Sequence, residues 1–175
     1  DLLITDSDTA LELYRRKLID PMTFSPEDRA DTPSYLFDLV TAEDGQLLGR
    51  PVNQFGQLAC FNKERLEIPP ETLEEMEQES ESNNFGMALQ LKDLCWSAEA
   101  FDAGEAMEAA LAKRPPDPDC QSKVTQWLHW LESASYQQNI RFLNNQRSLR
   151  KALISGELDW ITCWSSSMRE LREQM

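Results

Sequence analysis

Asp6 and Asp8 stand one residue apart at the end of the short apolar run in "LLITDSD". That pair is the chain's first candidate for enzyme chemistry. Ahead of "TALELYRR" the same pair also suits a structural task, an N-cap followed by an acidic first turn. His129, inside "WLHWLE", is the only imidazole; it can act as a general base or lie on a polar or interface face of a helix. One histidine and four scattered cysteines, Cys60, Cys95, Cys120 and Cys163, with no CxxC pair, make no zinc pattern. No P-loop and no G-x-G-x-x-G occurs, and the acidic stretches lack calcium-loop spacing. No cofactor and no metal is expected.

The ten residues "LLITDSDTAL" resemble the first motif of the haloacid dehalogenase-like phosphatases, an apolar run followed by Asp-x-Asp. The resemblance implies an attacking aspartate at Asp6, a proton-handling aspartate at Asp8 and magnesium between them. Where that family carries Thr or Val two residues after the second aspartate, this chain has Ala10.

Charge bounds the partners. The formal net charge is −14, and it is unevenly spread: residues 1–120 hold 10 Lys and Arg against 26 Asp and Glu, residues 121–175 hold 7 against 5. Such a chain is repelled by phosphate polymers and anionic membranes, which are bound by neutralising their charge. A protein partner with a basic surface is expected, with no direct nucleic acid binding and no membrane, and a homo-oligomer is compatible. "ETLEEMEQESES" concentrates six glutamates in twelve positions, among them Glu74, Glu75 and Glu77, with no Lys or Arg. The one basic patch is "RFLNNQRSLRK", in which Arg147 and Lys151 share a helix face one turn apart. It suits a phosphate, an acidic partner or the chain's own acidic half.

The elements that must position these residues follow from capping and periodicity. Asp6 or Ser7 caps a first helix over about 7–19, and Pro21, Pro26 and Pro33 then break the chain. "SYLFDLVTAEDGQLLGRP" predicts a β-hairpin turning at Asp44-Gly45, with further strand in "GQLACFNKERLEIPP". Leu73 and Met76 alone give residues 71–82 an apolar stripe, which predicts a short surface helix or a partly ordered segment. "MALQLKDLCW" reads as helix rather than strand, and "DAGEAMEAALAKR" as a helix opened by a capping box at Asp102. Helical spacing runs from Val124 to a C-cap at Gly156, and two stripes, one through Trp160, Trp164 and Met168, predict a final helix over 157–175 contacted on two sides.

The fold class expected is therefore α+β and predominantly helical: a small antiparallel sheet or hairpin near 34–68 packed with helices, then a C-terminal helical hairpin or three-helix unit. An acidic mixed region spans 1–114, a proline-rich boundary 115–120 and a Trp-rich helical region 121–175, within one compact domain. With 41% apolar residues, no membrane-length apolar run and no secretory signal at the start, the expectation is a soluble cytoplasmic protein with reduced cysteines. Function is expected to be non-enzymatic protein binding: an acidic face for a basic partner and the Trp160, Trp164 and Met168 face for a subunit. The alternatives are an acidic nucleic-acid mimic and a magnesium-dependent phosphatase using Asp6 and Asp8.

Overall fold

The computed structural model describes residues 2–104, 106–107 and 118–175, and its contacts form two compact units, Asp1–Gln54 and Phe55–Met175. In the first, α1 (Ser7–Arg15) starts where the sequence places it, because the Asp6 carboxylate accepts the Thr9 N–H at 2.9 Å. Lys17 at a positive φ of 59° then ends it earlier than expected. Two helices of five residues follow. α2 (Pro26–Ala30) is opened by a capping box between Ser25 and Asp28, and α3 (Ser34–Asp38) buries only Phe37.

The hairpin expected from residue 34 is thus corrected. "SYLFD" is rich in strand formers, but strand propensity expresses itself only against a partner strand, and here Pro33 starts a helical turn instead. The Asp44-Gly45 turn is present, with Gly45 at φ +81°, a conformation that favours glycine. It closes only one antiparallel bridge, Thr41 to Leu47.

The second unit is built on four strands: β1 (Gln57–Phe61), β2 (Phe85–Ala88), β3 (Ile140–Leu143) and β4 (Trp160–Trp164). Their order is β1-β4-β2-β3. β2 is parallel to both β3 and β4, and β1 is antiparallel to β4. The sheet is therefore mixed rather than antiparallel, and its strands run from residue 57 to residue 164 instead of clustering in 34–68. Between them come α4 (Leu73–Glu79), α5 (Leu91–Glu99), α6 (Pro118–Ser135) and α7 (Gln146–Ser155), and α8 (Met168–Gln174) follows a 3-10 turn over Ser165–Ser167. The protein is α+β with helix well in excess of strand.

Strand alternation sorts the core into two layers. Phe85, Met87, Ile140 and Trp160 pack with Ala98, Trp127, Trp130 and Ala134 of α5 and α6. Ala88, Ile161, Cys163 and Cys60 pack with Leu149, Ala152 and Leu153 of α7 and with Leu171 of α8. A sheet covered on both faces presents near-continuous apolar strands. That is why β4, "WITCW", imitated a helix: four of its five residues are buried and it shows no alternation. The final helix expected over 157–175 is accordingly a strand, a 3-10 turn and a helix of seven residues. In the same way "MALQLKDLCW" divides into the end of β2 and the start of α5. The C-terminal helical pair persists as α7 and α8, joined by Arg150, whose Nε lies 3.1 Å from Glu170.

α7 has the clearest boundaries. Asn145 caps it by accepting the Ser148 N–H, and Gly156, at φ +79°, ends it as expected. Cys60 and Cys163 form a disulfide between β1 and β4, with Cα atoms 5.9 Å apart, which corrects the expectation that the cysteines are thiols; Cys120 is free. The helix expected over 102–114 and the proline-rich boundary fall largely outside the described residues; α6 begins at Pro118.

Candidate functional site

The acidic surface centres on α4. Thr72 caps the helix through the Glu75 N–H at 3.1 Å, and the Glu75 carboxylate returns to the Glu71 N–H at 2.7 Å. The first bond satisfies a donor that the helix start leaves open, and the second ties down the residue before the cap. Leu73 and Met76, 8% and 1% exposed, then hold the helix against the core despite the thin stripe. With one face fixed, Glu71, Glu74, Glu75 and Glu81 stand in solvent, and Glu77 and Glu79 are half-buried. No described Lys or Arg forms an ion pair with any of the six.

The other expected residues separate into exposed, half-buried and internal. Arg147 and Lys151 are exposed one turn apart on α7, and neither enters an ion pair among the described residues. Their neighbours in the basic patch are taken up within the chain: Arg150 by Glu170 and the Ser167 hydroxyl, Arg141 by Glu157 at 3.8 Å. Trp160 is 1% exposed, enclosed between Phe85 and Trp96 on the central strand β4. It lies in the core rather than on a contact face, because the periodicity that put it on a helix surface belongs to a buried strand. Trp164, at the end of β4, and Met168 remain half-buried. His129 is exposed on α6, its Nδ1 3.8 Å from Glu132.

At the N-terminus, both Asp6 carboxylate oxygens accept from Thr9, one from its N–H and one from its hydroxyl, each at 2.9 Å. Asp8 lies in the first turn of the same helix. Residues 2–5, which precede the pair, form neither helix nor strand.

Three arrangements had no clear signal in the sequence. Asp93, 2% exposed at the start of α5, accepts from Gln146 Nε2 at 2.8 Å, and its backbone carbonyl accepts from Gln57 Nε2 at 3.0 Å. Side chains distant in sequence thus tie β1, α5 and α7 together at the carboxyl end of the parallel strands. In the first unit a cleft of about 600 Å³ lies among Leu11, Tyr14, Ile19, Pro21 and Ala42. At its rim the Tyr14 hydroxyl donates to Asp44 at 2.8 Å. That bond holds Asp44 below the usual carboxylate range and lifts Tyr14 above the usual phenol value. Third, an apolar groove of about 250 Å³ runs beside β1, lined by Cys60, Phe61, Leu153, Met168 and Leu171, with Lys63 and Arg172 on it. The only hint of that groove in the sequence is "QLACF", which contains no charge and no proline.

Among known proteins, no family model and no curated protein matches this chain. No helix among the described residues is long and apolar enough to cross a membrane.

Proposed function

We propose that this protein acts by binding another protein, offering the ordered acidic face of α4 to a basic surface. One observation carries the proposal: Leu73 and Met76 pin the helix, while Glu71, Glu74, Glu75 and Glu81 project with no ion pair to a cation among the described residues. Like charges fixed side by side repel, and a basic partner relieves that repulsion while steering its own approach. Arg147 and Lys151 on α7, which covers the other face of the sheet, offer a smaller surface of opposite sign. Trp160 belongs to the core, so the subunit contact expected of a tryptophan face reduces to the half-buried Trp164 and Met168.

Mimicry of a nucleic acid is the second reading, favoured by the same ordered carboxylates together with exposed Glu67 and Glu99. A buried disulfide fits maturation in an oxidising compartment better than the reducing cytoplasm suggested by cysteine spacing.

The test is capture of partners from native extract by the wild type and by the Glu74→Lys/Glu75→Lys variant, with the captured proteins identified by mass spectrometry. Binding to a basic protein that is lost in the variant and weakened by salt supports the proposal. If the captured protein is a nucleic-acid-binding protein that DNA or RNA displaces, the mimic reading takes precedence. Equal capture by both forms refutes the role given to α4.

A further inference from the structure

β1 is an edge strand with one side unpaired. Its bonds to β4 use even positions, as shown by Ser165 N–H to the Gly56 carbonyl at 2.8 Å and Asn62 N–H to the Asp159 carbonyl at 3.1 Å. In an antiparallel ladder the intervening residues turn their N–H and C=O groups the other way. Gln57, Ala59 and Phe61 therefore point their backbone groups outward, and no backbone bond from another described segment reaches them. Protein edges are commonly blunted by a lysine, a proline, a bulge or a covering segment. Within Gln57–Phe61 there is no charge and no proline, the ladder is regular across all five positions, and Leu58 and Ala59 are exposed.

Beside this open edge lies the apolar groove formed with α7 and α8, where Met168 Sδ lies 3.5 Å from Cys60 Sγ. The Cys60–Cys163 disulfide ties β1 covalently to β4, and Cys60 belongs both to the edge strand and to the groove's lining. Lys63 and Arg172 line the groove, and neither enters an ion pair among the described residues, although the chain as a whole is strongly acidic.

We infer that the β1 edge and its groove form a docking site for an extended peptide segment of a partner protein, added as a further strand. Each feature specifies part of the occupant. Outward backbone groups select an extended chain over a helix or a lipid, and the apolar lining selects apolar residues at alternate positions. The two unpaired cations select at least one carboxylate on the segment. This surface is separate from the acidic face of α4 and has the opposite charge preference.

A library of random twelve-residue peptides displayed on phage, selected on the disulfide-bonded protein, tests the inference. Enriched sequences are expected to alternate apolar residues and to carry Asp or Glu. A synthetic peptide of the enriched sequence should slow amide exchange at Ala59 and Phe61. It should bind about tenfold more weakly to Lys63→Glu/Arg172→Glu. Ala59→Pro should weaken it as well, since proline there removes an outward donor but no bond to β4. The wild-type and variant proteins are compared by circular dichroism, so that loss of fold is separated from loss of binding.

Four results would overturn the inference. One is no enrichment, and another is equal binding by the charge-reversed variant. The third is protection on α4 rather than β1. The last is occupation by something else: a dimer in sedimentation that Ala59→Pro dissolves, or dodecanoate filling the groove while peptides do not.

Discussion

A single hydrogen bond, from Tyr14 to Asp44, closes the rim of the cleft in the first unit. It lowers the Asp44 carboxyl, with the Gln46 N–H assisting, and raises the Tyr14 hydroxyl. The signs define a window. The Asp44 contribution to stability is present above its usual 3.8 and is lost as pH falls through the lower folded value. The Tyr14 contribution is complete below its usual 10.0 and is lost as pH rises through the higher folded value. In Tyr14→Phe, the Asp44 titration followed by carbonyl-carbon NMR should move upward towards an ordinary aspartate. Gly86 makes a second prediction at this scale. A Cβ there would run into Leu158, stand 2.8 Å from Leu149 Cδ2 and 3.3 Å from Ile161 Cγ2, and these side chains are fully buried. Gly86→Ala should cost about 1–3 kcal/mol, read as a lower urea midpoint. Nothing in "NNFGMA" reveals that constraint, because it arises from residues more than sixty positions later.

β4 is the element on which the second unit depends. It pairs with β1 on one side and β2 on the other, and Leu158, Trp160, Ile161 and Cys163 are all within 1% of full burial. The disulfide it carries closes a sequence separation of 103 residues, and bridges over loops of that length stabilise folds by about 2–5 kcal/mol. Cys163→Ser should therefore melt at a lower temperature than the wild type, and reductant should lower the wild type by a similar amount without affecting the variant further. Helices with chemical boundaries were legible: Asp6 and Gly156 cap α1 and α7 as their types suggest, since a cap is a local interaction. β2 and β4 were illegible because strands buried on both faces have no polar positions to reveal their period. The disulfide was hidden for a related reason, since strand pairing alone brings Cys60 beside Cys163.

Over the whole molecule, charge was the most legible property and topology the least. The excess of acid over base identified residues 71–82 as a surface, and Leu73 and Met76 supplied the two contacts that order it. The groove beside β1 required knowing which strand lies at the edge of the sheet, which depends on the order β1-β4-β2-β3 and not on any local pattern. The two surfaces have opposite electrostatic preferences, so salt and charge reversal address each separately. The most direct measurement is the dissociation constant of a captured basic partner for the wild type and for Glu74→Lys/Glu75→Lys, over a range of ionic strength. Weakening of at least about tenfold in the variant, together with a shallower salt dependence, is predicted. Equal affinity and equal salt dependence in the two proteins would contradict a binding role for α4.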